Sequence, residues 1–304
     1  MRPFGERLAA AMAGRSHLCV GIDPHPAALA AWGLADSAAA LPGFAAALLD
    51  AAEAGGAAAV KPQSALFERH GAAGVAALEQ VLAGARQRGL LSILDVKRGD
   101  IGSTMAAYAQ AYLDDAAPLA ADACTLSPYL GFASLAPALE LAAKTGRGVF
   151  VLAFTSNPEG AAVQHAVTRG RLSVGESMIQ AAAEYNAAWR AARAGRGAAD
   201  GSWGPGAGRA GGAALGPAGL VVGATIGSLR PLGRKLIAQV GGPILAPGVG
   251  AQGAGPAELE RLFGQARGLV LATASRAVAA AGPGGAELAG AVRRLAQAVA
   301  FLGN

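Results

Sequence analysis

Eight short apolar segments, separated by stretches of helical composition, are the feature that most limits how this 304-residue chain can fold. The apolarity of each segment is continuous rather than alternating, which is typical of strands buried on both faces of a parallel sheet. They therefore predict eight parallel strands. The segments span residues 17–23, 58–63, 91–97, 123–128, 148–155, 220–225, 243–249 and 268–274.

The clearest stretches between these segments have apolar and small residues at helical spacing. They span residues 41–55, 74–89, 103–117, 173–195 and 255–268. Gly89 follows Arg88 at the end of one helix and Pro256 lies in the first turn of another, which are helix stop and start signals. Alternating strands and helices over this length predict a single (β/α)8 TIM barrel of α/β class over residues 1–304. A doubly wound open sheet is the structural alternative.

One segment, Gly195–Gly219, departs from this alternation. Its sequence, GRGAADGSWGPGAGRAGGAALGPAG, is rich in Gly, Ala and Pro and has no helical or strand period. Such composition predicts a mobile insertion between the fifth helix and the sixth strand, rather than a linker between domains.

Charge and cysteine content exclude several classes of protein. The net charge is +5, but the arginines are scattered, so no basic patch favours nucleic acid as the main partner. Cys19 and Cys124 lie in apolar segments and predict buried free thiols in a reducing compartment. The four histidines are dispersed, which predicts surface or loop positions rather than a metal site. The N-terminus resembles no signal peptide and no stretch resembles a membrane span, so we expect a soluble cytoplasmic protein.

Polar side chains gather where the predicted strands end. In a barrel the carboxyl ends of the strands meet at one face, which is where active sites are built. We therefore expect these residues to surround one site. They are Asp23, Lys61, Asp95, Lys97, Ser127, Thr155, Thr225, Ser275 and Arg276, together with the PGVGAQG loop.

The stretch LSILDVKRGDIGST holds the densest group of charges. Only four of the 25 basic residues are lysines, and Lys97 lies between Asp95 and Asp100. Asp95 and Lys97 share a face of their strand, because side chains alternate with a period of two. Lys61 on the adjacent strand can complete a Lys–Asp–Lys chain. A buried structural ion-pair network is the alternative interpretation.

The charge pattern limits the chemistry of such a group. Neighbouring carboxylates favour the protonated form of a lysine, which disfavours a Schiff base and favours an ammonium that donates a proton to a carbanion. Two carboxylates can also hold Mg²⁺, but a lysine between them competes with the cation. The sequence therefore predicts no metal.

A second group of residues predicts a phosphate site. Ala246–Gly255 is a Gly-rich loop after the seventh strand, and Arg276 follows the eighth. The loops after these two strands form the frequent phosphate site of barrels. Gln252 can add a side-chain donor, although in a Gly-rich chain the glycines can also be turn residues.

Seven motifs together resemble the orotidine 5′-phosphate decarboxylase family, in particular its longer bacterial subtype. The string DVKRGDIGST, with TSNP and PGVGAQG, is highly specific for that subtype. The resemblance covers almost everything except Gly195–Gly219, with Ala254 as a small departure. The motifs, in order from residue 19 to residue 278, are CVGIDPHP, VKPQSALFERHG, ILDVKRGDIGST, LSPYLGFASLAP, FTSNPEGAAVQ, APGVGAQGAG and ATASRAV.

The resemblance implies decarboxylation of orotidine 5′-phosphate to UMP and CO2, the last step of de novo pyrimidine biosynthesis, without metal or organic cofactor. By motif, the catalytic charged tetrad consists of Lys61, Asp95, Lys97 and Asp100. The resemblance implies that Lys97 protonates C6 of the pyrimidine and that Asp95 lies against the departing carboxylate.

The resemblance also implies contacts with the rest of the substrate and with a second subunit. Asp23 and Lys61 are similar to ribose-hydroxyl contacts, and Ser127 is similar to a pyrimidine contact. Gln252 and Arg276 match the phosphate-binding residues, and we count Gly253 and Ser275 beside them as substrate-binding. Asp100, Ile101 and Thr104 resemble residues contributed across a dimer interface, which implies a homodimer with shared active sites.

Two other functions stay open at this point. One is a Mg²⁺-dependent sugar-phosphate decarboxylase or aldolase of the same superfamily. The other is a phosphate-ligand-binding barrel without catalysis, which predicts a broken tetrad, whereas here all four charged positions are filled.

Overall fold

A computed structural model describes residues 1–200, 214–250 and 253–303. Among them, eight parallel strands pair side by side in chain order and close into one barrel, so the predicted architecture is confirmed. Each predicted strand segment overlaps one of these strands. The strands are β1 (Leu18–Ile22), β2 (Ala59–Pro62), β3 (Leu91–Arg98), β4 (Ala123–Leu126), β5 (Gly148–Phe154), β6 (Ala218–Val222), β7 (Ile244–Pro247) and β8 (Val270–Ala274).

Helices follow the strands, and among the described residues none is long and apolar enough to cross a membrane. Short 3-10 helices span Ala38–Ala40, Phe132–Leu135, Pro158–Gly160, Gly264–Leu269 and Ala300–Gly303. The α-helices are α1 (Phe4–Gly14), α2 (Pro26–Ala31), α3 (Leu41–Ala54), α4 (Ala65–Glu68), α5 (Gly71–Gln87), α6 (Gly102–Leu113), α7 (Ala136–Thr145), α8 (Ala161–Gln164), α9 (Val174–Asp200), α10 (Pro231–Ala238), α11 (Pro256–Phe263), α12 (Arg276–Ala279) and α13 (Gly285–Ala298).

Apolar side chains fill the amino-terminal half of the barrel interior. Inward residues such as Ile93 and Phe150 form one buried cluster with residues of α1. Phe4 and Leu8 of that helix are fully buried, and the Phe4 ring meets the Phe150 ring edge-on at 5.8 Å between centroids. Helix α1 therefore closes this end of the barrel, and a ligand can enter only from the other.

The outer faces of the strands are buried as well. Val20, Val60 and Leu94 point out of the barrel and pack in a second cluster with α-helical residues such as Phe44 and Leu78. Burial on both faces explains why the strand segments are continuously apolar in the sequence.

Three helix ends differ from the predicted ones by four residues or more. Helix α9 runs to Asp200, into the segment predicted to be an aperiodic insertion, because its start contains the helix formers Arg196, Ala198 and Ala199. Residues 201–213 of that segment lie outside the described residues.

Helices α6 and α11 are shorter than predicted. Helix α6 ends at Leu113, where the Asp114 carboxylate accepts a hydrogen bond from the Ala116 N–H at 2.9 Å and forms a local turn. Helix α11 ends at Phe263 and continues as a 3-10 helix to Leu269.

Replacing Leu8 by Ala is expected to destabilise the protein, because Leu8 is buried where α1 closes the barrel. Removing a leucine side chain from a core costs about 2–5 kcal/mol. The matched control is Leu232→Ala on α10, where the side chain is exposed and the expected cost is below about 0.5 kcal/mol. Urea denaturation measures both free energies of unfolding, and equal losses would contradict the assigned role of α1.

Candidate active site

A cavity of about 1190 Å³ opens at the carboxyl ends of the strands. Its polar lining comes from β1, β2, β3, β4, β5 and β8 and the residues that follow them, which are distant in sequence. The structure therefore brings together one set of the strand-end residues singled out in the sequence. These are Asp23, Lys61, Asp95, Lys97, Thr155, Ser275 and Arg276.

Apart from Pro247, Gly248 and Val249 of the PGVGAQG loop, the other predicted residues do not line this cavity in the described part of the chain. The Ser127 N–H donates to the Arg98 carbonyl at 2.7 Å, at the end of β4. Asp100 accepts a hydrogen bond from the Ile101 N–H at 2.8 Å, and Ile101 and Thr104 are exposed at the start of α6. Thr225 and Gly253 also lie apart from the lining, and Gln252 lies outside the described residues.

Asp95 lies between two lysines. Its Oδ2 is 3.0 Å from Lys61 Nζ and its Oδ1 is 2.6 Å from Lys97 Nζ. Lys61 and Asp95 are buried, whereas 44% of the Lys97 side chain is exposed. The three side chains form the predicted Lys–Asp–Lys chain, in which the Lys97 ammonium faces the open cavity.

Two neutral side chains complete the surroundings of Asp95, and sequence reasoning missed both. Gln63 Nε2 donates to Oδ2 at 2.9 Å, and the Thr125 hydroxyl donates to Oδ1 at 2.7 Å. Each carboxylate oxygen thus accepts from two donors, which occupies the lone pairs that a metal ion would need. Gln63 lies two residues after Lys61, so the strand period was the available signal for it.

Burial and the neighbouring charges shift the pKa values of Asp95 and Lys61 in opposite directions. Burial favours the neutral carboxyl of Asp95, but the ammoniums of Lys61 and Lys97 outweigh it and hold the Asp95 pKa well below its ordinary value. Burial likewise disfavours the Lys61 ammonium, but the Asp23 and Asp95 carboxylates outweigh it and raise the Lys61 pKa. Asp95 and Lys61 are therefore both charged at neutral pH.

Asp23 extends the charged group toward β1. Its Oδ1 lies 3.8 Å from Lys61 Nζ and, although buried, accepts no hydrogen bond from the described residues. Buried polar atoms in proteins nearly always have a partner. This oxygen is therefore available to a hydroxyl group of a ligand.

The loop after β7 lies at the same edge of the cavity as Arg276. Gly248, Gly250 and Gly253 have φ angles of 106°, 80° and 90°, which side chains other than glycine rarely adopt. The Gly253 N–H donates to the Gly250 carbonyl at 2.9 Å. A glycine loop beside an arginine is suited to binding a phosphate group.

The TSNPEG turn after β5 contributes a further wall of the cavity. Thr155, Ser156, Asn157 and Gln164 line the cavity. Gln164 accepts from the Thr155 N–H at 2.8 Å and donates to the Thr155 hydroxyl at 2.6 Å, so it fixes the end of β5. Sequence reasoning missed Gln164, because its partner lies across a turn.

The cysteines are buried as the sequence predicts, and one histidine is buried although it lies in a loop. Cys19 and Cys124 are buried free thiols, and burial raises the pKa of each to about 12. His17 lies in a bend directly before β1, as the loop prediction allows, but it is buried, with its Nδ1 2.8 Å from the Val270 carbonyl oxygen. Among the described residues, no cluster of His, Cys, Asp and Glu is placed to hold a metal ion.

The cavity combines three chemical elements. Asp95 supplies fixed negative charge, Lys97 supplies an accessible ammonium 2.6 Å away, and Arg276 supplies positive charge at the rim. This arrangement can bind an anionic group at one edge and donate a proton to a carbanion formed beside Asp95.

Comparison with known proteins finds a family model that matches most of this chain. The family described as "Orotidine 5′-phosphate decarboxylase / HUMPS family" matches residues 16–291. An orotidine 5′-phosphate decarboxylase from Salinispora tropica is 50% identical over 295 residues, covering 97% of this chain and 96% of the relative. The decarboxylase from Streptomyces coelicolor is 48% identical over 296 residues, with the same two coverages.

Comparison of the fold with solved structures finds a similar protein of the same description. A crystal structure from Streptomyces avermitilis, described as an orotidine 5′-phosphate decarboxylase, superposes with a TM-score of 0.85 at 46% identity. The match covers 100% of this chain and 96% of that one.

Replacing Asp95 by Asn is expected to lower the free energy of unfolding near neutral pH by about 3–5 kcal/mol, because it leaves buried Lys61 with the Asp23 carboxylate, 3.8 Å away, as its remaining partner. The Asp95 pKa is lowered from an ordinary value of 3.8, so the carboxylate stabilises the fold fully above that pH and loses its effect as pH falls through the folded-state value. The difference between wild type and variant should therefore shrink below about pH 4.

Urea denaturation at a series of pH values measures this difference. The matched control is Asp50→Asn, because Asp50 pairs with Arg88 on the surface, and its effect should stay below about 1 kcal/mol. An Asp95→Asn difference that stays constant into the acid range would contradict the assigned ionisation.

Proposed function

Because the chain belongs to the orotidine 5′-phosphate decarboxylase / HUMPS family, we propose that it decarboxylates orotidine 5′-phosphate to UMP and CO2, the last step of de novo pyrimidine biosynthesis. The names of its relatives support a carboxy-lyase. The single observation that carries the proposal is the buried Lys61–Asp95–Lys97 chain, with N–O distances of 3.0 and 2.6 Å.

In the proposed reaction, the bond between C6 of the pyrimidine and its carboxylate breaks. CO2 leaves, and the electron pair stays on C6. The ionised Asp95 lies against the departing carboxylate, and the Lys97 ammonium donates a proton to C6. The resulting amine regains a proton from solvent, and no metal or organic cofactor takes part.

The two lysines have different roles in this mechanism. Lys61 is buried between Asp23 and Asp95, and its ammonium keeps Asp95 ionised. Lys97 is 44% exposed and can reach a substrate in the cavity. Its side chain can hold the ion pair and still release a proton, which a guanidinium does not do readily.

The remaining substrate contacts follow the family pattern. Asp23 and Lys61 bind ribose hydroxyls, which is supported by the buried Asp23 oxygen without a hydrogen-bond partner. Ser275 and Arg276 bind the phosphate together with Gln252 and Gly253 of the loop after β7. Ser127 is proposed to contact the pyrimidine.

The active sites are proposed to be shared within a cytoplasmic homodimer of single-domain chains. Asp100, Ile101 and Thr104 would complete the neighbouring subunit's site. Their surroundings support this role, because Ile101 is 62% exposed and Tyr129, at 81%, is also exposed in a loop after β4. Large exposed apolar side chains favour an interface between proteins.

The wild-type protein is expected to consume orotidine 5′-phosphate in excess EDTA, and Lys97→Arg is expected to lower kcat by about 10²–10⁴-fold. The variant keeps a positive charge beside Asp95 but lacks a group that releases its proton. The ultraviolet absorbance of the substrate measures the rate.

Lys235→Arg on α10 is the matched control, since Lys235 is exposed outside the cavity, and it should retain the wild-type rate. Activity lost to EDTA would favour the Mg²⁺-dependent alternative. Near-normal turnover of Lys97→Arg would remove Lys97 as proton donor.

Mixing two inactive variants tests the shared site. Asp100→Ala and Lys97→Ala are each expected to be inactive, but a heterodimer of the two has one site that carries neither substitution. Such heterodimers should recover about half of the wild-type activity per dimer. Stable heterodimers without activity would contradict the exchange of Asp100 between subunits.

A further inference from the structure

We propose that Thr125 is the positioning residue for Lys97: its hydroxyl holds the lysine backbone in a left-handed conformation and directs the ammonium to one oxygen of Asp95. This inference rests on the proposed role of Lys97 in decarboxylation. Thr125 is 1% exposed and lies on β4, next to the strand that carries Asp95 and Lys97.

Strand β3 departs from regular pairing at the charged residues. Leu94 pairs with Cys124 and Arg98 pairs with Leu126, so three residues of β3 lie against the single residue Thr125. This bulge brings both Asp95 and Lys97 to Thr125. It also deprives Lys97 of a backbone partner in the ladder.

The backbone of Lys97 is strained as a result. Its φ angle is 45°, in the left-handed region that residues other than glycine rarely adopt. Such conformations persist at functional sites only where surrounding contacts enforce them. Lys97 therefore needs a specific contact that holds its peptide group.

The Thr125 hydroxyl supplies that contact. The Lys97 N–H donates to Thr125 Oγ1 at 3.0 Å, and the hydroxyl donates its own proton to Asp95 Oδ1 at 2.7 Å. A backbone N–H can only donate and an ionised carboxylate can only accept, so the direction of both bonds is determined.

The same Asp95 oxygen receives the lysine side chain. Lys97 Nζ lies 2.6 Å from Oδ1 and closes a ring of hydrogen bonds that runs through Thr125 and Asp95 back to Lys97. The position of the ammonium is thus coupled to the backbone strain through one hydroxyl group. Valine has the shape of threonine but neither of these bonds, whereas serine keeps both.

The kinetic test compares Thr125→Val with Thr125→Ser. The valine variant is expected to lower kcat by about 10- to 100-fold, with a smaller change in KM, because it misplaces the proton donor. The serine variant should restore most of the loss. Thr145→Val is the matched control, since that hydroxyl bonds the Leu141 carbonyl on α7, far from the cavity lining. Thr125→Ala replaces the valine variant if the latter does not fold.

An independent test uses the scarcity of lysine. With only four lysines, a ¹⁵N-lysine-labelled chain gives four lysine backbone amide signals, of which Lys97→Arg identifies one. In Thr125→Val, the backbone amide hydrogen of Lys97 should exchange with solvent at least about ten-fold faster than in the wild type. The amide exchange rates of Lys144 and Lys235 should be unchanged.

Faster exchange together with a lower kcat that serine restores supports the inference. Unchanged exchange, or an unchanged kcat in Thr125→Val, overturns it while the proposed function stands. If the wild-type protein does not decarboxylate the substrate, the proposed function fails, and the exchange rate alone decides whether Thr125 holds the Lys97 backbone.

Discussion

The site depends on one ionised carboxylate, Asp95, kept inside the barrel. Burying an unpaired carboxylate is very unfavourable, and Asp95 is tolerated because four donors from three neighbouring segments satisfy it. Lys61 and Gln63 come from the end of β2, Lys97 from β3 and Thr125 from β4. These donors meet because the three adjacent parallel strands end at one face, so the charge of Asp95 depends on the pairing of β2, β3 and β4.

Below the cavity that contains Asp95, large side chains pack against glycines and fill the barrel interior. Phe150 fills the interior, and a Cβ at Gly219 would lie 2.7 Å from its ring. Near the mouth, a Cβ at Gly21 would lie 2.6 Å from the Ser275 Cβ, so β1 and β8 can approach closely only with glycine there. The glycines therefore allow a packed floor and an open mouth in one barrel.

The parts of the site that follow a local period could be predicted from the sequence. Asp95 and Lys97 lie two residues apart in a strand, and Lys61 ends the neighbouring strand, so their meeting follows from parallel pairing. The hydrogen bonds of the Thr125 hydroxyl could not be predicted, because they require the bulge in β3. No residue pattern in Leu91–Arg98 predicts that bulge. The proposed contribution of Asp100 to a neighbouring subunit's site rests on the family resemblance, because no period or spacing in this chain predicts it.

The two lysines on Asp95 illustrate how one carboxylate can serve stability and chemistry together. If both ammoniums were as exposed as that of Lys97, solvent would weaken their hold on the charge of Asp95. The buried lysine keeps Asp95 ionised whether or not the other ammonium has given up its proton. In the proposed mechanism, Lys97 can therefore pass through a neutral state without Asp95 taking up a proton, and the site is ready again once solvent reprotonates the amine.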